Sequence, residues 1–403
     1  MNIIYLDWAA TSIPDTNIIE EMSSTALLNY GNPSSIHLKG IEASGILENS
    51  RSAIAAALNI EKNDFIFTSG GTESNNLILY SLLRKFSLES ILKKHPRIIL
   101  SGIEHSSCYE PAKFLEEMGF SLKYINTEKL GTADIESLKK YLNPNTVLVS
   151  LILVNNETGV IQPVEKLTRT VKEYAESIGR FIHVHTDAVQ ALGKISLNLK
   201  QLGIDSASFS AHKIRGPRGI GGLFIKDRKK ITPLYTGGGQ ENGLRHGTEN
   251  LPAIYGFAKA VEKYIPLVET NLKKIKLIKQ NFLKEIKKLK NAVIIPEPAN
   301  GLPEESFSPY ILNVAFPPIP SEVTVRALSQ EGVMISAGSA CSTHKAKERG
   351  RVLRNMGYKP EIASSSVRFS FGFNTKREEI SAALEIINRT IPHLTKVAGA
   401  FKR

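Results

Sequence analysis

The 403-residue chain has two cysteines, one tryptophan and no long apolar run, and each scarcity removes a class of protein. Two thiols, Cys108 and Cys341, cannot build a disulfide framework, so a reducing, cytoplasmic setting is expected. No stretch approaches the ~18 apolar residues that a membrane span needs. The opening MNIIYLDWAATS has neither the basic flank nor the apolar core of a secretory leader, so a soluble, untargeted protein is expected. Internal repeats and low-complexity tracts are missing too. What is present is a hydrophobic content of 42% over a length that suits one large domain with a smaller companion.

The formal charge of +12 is compatible with nucleic acid, an acidic partner or a lysine-rich surface. Much of the excess lies in NLKKIKLIKQNFLKEIKKLKN, where Leu272, Ile275, Ile278, Phe282, Ile286 and Leu289 recur at helical spacing. The spacing predicts a solvated amphipathic helix, and no direct nucleic-acid binding is expected from it. A shorter basic cluster, HKAKERGRVLR, follows Cys341.

Between about residues 63 and 226, the apolar runs FIFTS, RIILS, LKYI, TVLVSLILV, FIHVHTD and ASFS alternate with segments of helical period. This rhythm predicts an α/β domain with a mostly parallel sheet flanked by helices, whose ligands bind beyond the carboxyl ends of the strands. After GGLFIKD the rhythm breaks through the glycine-rich TGGGQENGLRHGTEN and gives way to the lysine-rich helix. YILNVAF and VRFSFG read as strands of a smaller α+β domain, closed by a helix around EEISAALEIINRT. Residues 14–258 are therefore expected to form the large domain, and 1–13 with 259–403 the small one.

The polar motifs fall at strand ends. Lys213, in SAHKIRGPRG, follows a strand and precedes turn residues; a lysine so placed can form a Schiff base, although a surface charge is the ordinary fate of a lysine. Asp187 ends FIHVHTD, where a carboxylate could keep a pyridinium nitrogen protonated or merely cap a helix. Gln190 follows three residues later, within reach of a ring oxygen. Gly70, Gly71 and Thr72 lie between a strand and a helix, where main-chain N–H groups and the helix dipole suit a phosphate, with Ser210 and His212 as further donors. Gly-Gly-Thr is also a common plain turn.

YLDWAAT, GNPSSIH, FTSGGTESNN, EHSS, VNNETGVIQP, HTDAVQALGK, SAHKIRGPRGIGGL, GGGQENGLRHGTEN, GSACS and SSVRFS occur in an order and spacing that resemble the cysteine desulfurases of the NifS/IscS type, within the fold-type I, class V aminotransferase group. The resemblance runs nearly end to end. It implies pyridoxal 5′-phosphate as cofactor, joined to Lys213, with Asp187 facing the pyridine nitrogen and Asn156 and Gln190 at the ring hydroxyl. It further implies that His105 stacks on the ring, that Thr72, Ser210 and His212 hold the phosphate, and that Thr248 reaches in from a second subunit of a homodimer. Arg368 would take the carboxylate of L-cysteine, a task that suits a planar guanidinium. No metal is expected. Taken singly, His105 could be an ordinary hydrogen-bonded histidine, Asn156 a turn residue and Arg368 the outward side of a strand.

Cys341 lies among small and then basic residues, between Gly338 and Gly350, and reads as an exposed loop thiol near positive charge. Cys108, opening a helical segment, reads as structural. The implied reaction has the Cys341 thiolate attack the substrate sulfur after Lys213 removes the Cα proton, leaving alanine and an enzyme persulfide for an iron–sulfur scaffold or a tRNA-thiolating enzyme. The chain departs from the family pattern at Trp8, Gly71 and His246, where asparagine, alanine and serine are common. A selenocysteine lyase, an aminotransferase or a basic nucleic-acid-binding scaffold on an old fold remain the alternatives.

Overall fold

The computed structural model describes residues 3–296, 303–338 and 350–400. Its strands in chain order are β1 (Ile4–Tyr5), β2 (Phe65–Thr68), β3 (Arg97–Ser101), β4 (Ser121–Ile125), β5 (Thr146–Ile152), β6 (His183–Asp187), β7 (Ser206–Ser210), β8 (Gly221–Ile225), β9 (Val293–Ile295), β10 (Ile311–Ala315), β11 (Val333–Met334), β12 (Ser336–Ala337) and β13 (Ser366–Ser370). Seven of them form one sheet in the order β2-β8-β7-β6-β5-β3-β4. Neighbours run parallel from β7 to β4, as the βαβ rhythm predicts. β8 is antiparallel to both β2 and β7. The cause is the short link AHKIRGPRGI between β7 and β8, which holds only a 3₁₀ turn and no crossover helix and so cannot return the chain in a parallel sense.

β6, β7 and β8 are buried along their whole length, because helices cover both faces of the sheet. Alternate residues of a strand serve opposite cores. Phe65 and Phe67 pack with Phe209, Val164 and Phe257 on one side, while Ile66 joins Leu77, Leu79 and Leu115 on the other.

A second sheet is antiparallel throughout, in the order β12-β13-β10-β9. The lysine-rich segment forms the helix Val268–Ile286, with Ile275, Ile278, Phe282 and Ile286 buried and lysines between them. Phe282 meets Phe369 and Phe371 of the β13 segment, with ring centroids 5.0 and 5.5 Å apart. The helix Leu251–Tyr264 runs across the expected division at 258/259.

The chain's first residues are tied to the C-terminal part. β1 pairs in parallel with β11, and Ser370 N donates to Leu6 O at 2.7 Å. Trp8 is buried and so close to Gly372 that a Cβ there would lie 1.9 Å from the indole. No helix among the described residues is long and apolar enough to cross a membrane.

Candidate active site

Three connections at the carboxyl edge of the large sheet converge on one cavity of about 190 Å³. The turn after β2 supplies Gly71 and Thr72, the end of β6 supplies Asp187 and Gln190, and the turn after β7 supplies Ser210, His212 and Lys213. His105, Asn156 and, from the second sheet, Arg368 complete the lining. Ten of the twelve residues singled out in the sequence are thus brought together. Thr248 is exposed and stands apart from this cavity, and Cys341 lies outside the described residues.

Lys213 ends a short 3₁₀ turn, Ala211–Lys213, that caps β7. Its Nζ donates to the main-chain oxygens of Ala9 and Ala10, each at 2.7 Å, which fixes the amine at the cavity wall. Asp187, buried, accepts from Asn75 Nδ2 at 2.9 Å and from the Val189 N–H at 3.0 Å. Asn75 is held in turn by His185, whose Nε2 lies 2.9 Å from Asn75 Oδ1. Burial drives the His185 imidazole down to about 3, with His183 adding to the shift, so the ring carries no charge to compete with the carboxylate.

His105 is both the ordinary histidine and the cavity residue. It caps the helix Ser106–Glu117, its Nδ1 accepting from Ser107 N at 3.1 Å and lying 2.7 Å from Ser107 Oγ. Burial holds it below its usual value; Lys213, Arg351 and Arg368 push the same way against Asp187. A neutral ring with Nδ1 accepting carries its proton on Nε2. The turn at 155–158 is made by Asn155, whose Oδ1 accepts from the N–H groups of Glu157 and Thr158, leaving the Asn156 side chain to the cavity.

Arg368 sits in a strand buried at every residue, so the alternative of an outward-facing side chain does not hold. It donates to Asn156 O and Asp7 Oδ1, both at 2.9 Å, while Nε is buried with no hydrogen-bond partner among the described residues. A buried guanidinium N–H without an acceptor suits an incoming anion.

At the opposite end, the helix Gly71–Lys85 opens at the turn, and a second, open pocket is lined by Ser69, Gly70, Gly71, Thr72, Ser210, His212 and Arg218. Gly70 has φ 154° and its Cα lies 2.6 Å from where a Gly221 side chain would begin, so the main chain comes close and its N–H groups face outward from the helix start. Burial, with Lys213, Lys194 and Arg218, drives His212 down to about 3. Glu73 in the first turn binds Arg245 at 3.0 Å, linking this turn to the glycine-rich stretch.

That stretch is anchored by a buried pair, Arg51 with Glu241, in two bonds of 2.7 and 2.8 Å. His246 closes it, its Nδ1 accepting from Gly239 N at 2.9 Å, a bond that gives this departure from the usual serine a structural role. A further departure, Gly71, faces Val189, whose Cγ2 would lie 2.5 Å from an alanine Cβ.

The model of the family described as aminotransferase class-V matches residues 4–383. A curated relative from Dictyoglomus turgidum, "Cysteine desulfurase IscS", is 37% identical over 98% of this chain and 96% of its own length. The chain belongs to the class-V aminotransferase family, among its cysteine desulfurases. "Cysteine desulfurase IscS 1" of Archaeoglobus fulgidus is 33% identical over 99% of this chain and 100% of its own. Among solved structures, a "NIFS-LIKE PROTEIN" superposes with a TM-score of 0.87 at 36% identity, covering 97% of this chain and 100% of that one. A NifS-like protein from Rickettsia africae gives 0.82 at 31% identity, covering 96% and 99%.

Residue-type reading passed over Ala9, Ala10, Asp7, Asn75 and Ser107. Ala9 and Ala10 act through main-chain oxygens, which leave no mark in a side-chain pattern. Asn75 and Ser107 stand inside the motifs FTSGGTESNN and EHSS, and their polarity beside predicted strand ends was the available signal.

Proposed function

We propose that this desulfurase binds pyridoxal 5′-phosphate in the cavity around Lys213 and passes the sulfur of L-cysteine to Cys341, releasing L-alanine. The observation that carries the reading is the convergence of Lys213, Asp187, His105 and Arg368 on one cavity whose far end opens at a helix start. The residues fit the group: an amine for its aldehyde, a buried carboxylate for its ring nitrogen, and main-chain N–H groups with Thr72, Ser210 and His212 for its phosphate.

When bound, the cofactor supplies the electron sink that makes loss of the Cα proton feasible. Arg368 holds the substrate carboxylate, with Nε as the added donor. Lys213, fixed at the wall by Ala9 and Ala10, is positioned to take the Cα proton. His105, neutral and protonated at Nε2, is among the residues that would hold the ring. The Cys341 thiolate then attacks the substrate sulfur; a sulfur–sulfur bond forms as the carbon–sulfur bond breaks, and the electron pair left on carbon is protonated to give alanine.

A homodimer completes the site. Leu27, Leu28, Tyr30, Ile36, Leu38 and Ile41 stand exposed around GNPSSIH, and Ile36 is 95% exposed. A patch of this kind suits an interface, and Thr248, exposed on its anchored loop, would serve a neighbour's phosphate. The persulfide is handed to an acceptor protein, an iron–sulfur scaffold or a tRNA-thiolating enzyme, in the cytoplasm.

Cys341→Ala is the test of the reaction type. It should abolish the persulfide and sulfide release while the protein keeps its yellow colour and its spectral response to L-cysteine. Undiminished sulfide release from that variant would overturn the assignment of Cys341.

A further inference from the structure

Lys194 lies seven residues beyond the end of β6 and is 3% exposed. Lysine is almost never buried without a purpose, because its amine must find acceptors away from water. Burial, together with Lys213 and Arg368, holds Lys194 well below its ordinary value, but an amine in either protonation state still has N–H to give.

It gives it to Gln190. Lys194 Nζ donates to Gln190 Oε1 at 2.7 Å, and Gln190 Nε2 donates to Ala9 O at 2.9 Å. That same carbonyl accepts from Lys213 Nζ. The amide therefore has a fixed sense: its oxygen is claimed from inside by Lys194, and its nitrogen is turned toward the cavity wall that carries Lys213. With the sense reversed, two oxygens would face each other at Ala9, and the amide nitrogen would face a donor.

We propose that Lys194 is a positioning residue that locks the Gln190 amide with its nitrogen toward the cavity, so that the cofactor's ring oxygen meets a donor. The inference rests on the reading that this cavity takes pyridoxal phosphate. Lys194 touches neither cofactor nor substrate; it acts through Gln190 alone.

The test uses the full-length chain, stripped of cofactor and titrated with pyridoxal phosphate, reading the dissociation constant and the position of the visible absorption band. Lys194→Met removes the donor at similar volume, and Lys194→Gln keeps one. The methionine variant should bind roughly tenfold more weakly, as expected for one lost buried hydrogen bond, with a displaced band. The glutamine variant should recover most of the affinity. In a Gln190→Ala background, Lys194→Met should change nothing further.

Wild-type affinity and band in K194M, or the same loss with and without Gln190, would overturn the proposal. Failure of the wild-type chain to bind pyridoxal phosphate at all would instead sink the functional reading on which it stands. Should K194M not fold, a crystal structure of the cofactor-bound wild type decides. Lys194 must still contact Gln190 Oε1, and a Lys194 side chain turned away from Gln190 refutes the inference.

Discussion

At the scale of single residues, the site is built by pairing each buried charge with a fixed partner. Asp187 has Asn75 and Val189, Arg368 has Asp7 and Asn156, and Lys213 has two carbonyls. With Glu157, which burial likewise raises to about 7, Glu104 beside His105 is a costly exception. Its Oε1 accepts from Ser101 Oγ at 2.8 Å and from Ile152 N at 2.5 Å, yet burial, with Asp187 adding to it, raises the carboxyl from 4.5 to about 7. Between those two values the folded chain keeps a proton that the unfolded chain has lost, so stability must fall as pH rises through that window and level off above it. Glu104→Gln, which never ionises, should therefore gain stability relative to wild type as pH rises from about 4.5 to 7, by of order 3 kcal/mol at most. Urea melts across that range check the sign; an advantage that is flat with pH would show that Glu104 is ionised in the fold. Lys213, Asp187 and Gln190 were legible because each is polar and stands at or just past a strand end, whereas His105, Asn156 and the mid-strand Arg368 emerged only from the family resemblance. Their supports were not legible, since a main-chain oxygen or a second-layer asparagine has no distinctive spacing.

At the scale of elements, the alternation of apolar runs and helical periods was enough to place six of the seven strands and their flanking helices. The reversal of β8 was not read from its residues, because GGLFI is apolar throughout, like a buried parallel strand. Its evidence lay in the link before it, too short for a helix. The turn from β2 into the helix Gly71–Lys85 shows how a local departure is compensated. Here glycine stands where the family resemblance implies alanine, and Val189 fills the space. Gly71→Ala should cost roughly 1–3 kcal/mol through the clash with a stiff β-branched neighbour. Val189→Ala in the same chain should restore most of that loss. Thermal melts of the two single variants and the double one measure the coupling; losses that simply add would show that the two residues do not share the space.

At the scale of the whole molecule, the N-terminal segment helps to join the two sheets. Trp8 packs on Gly372, Asp7 holds Arg368, and Ala9 takes hydrogen bonds from both Lys213 and Gln190. The substrate's expected anchor and the cofactor's expected lysine thus meet across four consecutive residues. The glycine-rich stretch, pinned by Arg51 and Glu241, presents Thr248 outward. The chain should sediment as a dimer of 44.4 kDa protomers, and charged substitutions at Ile36 and Leu38 should yield monomers that bind pyridoxal phosphate weakly. A wild-type monomer with full affinity would contradict the shared site. Borohydride reduction of the purified protein, followed by peptide mapping, reads out the lysine that holds the aldehyde. A pyridoxyl-phosphate adduct should appear on the peptide that holds Lys213. An adduct on a different lysine, or none from a protein supplied with the cofactor, would contradict that assignment.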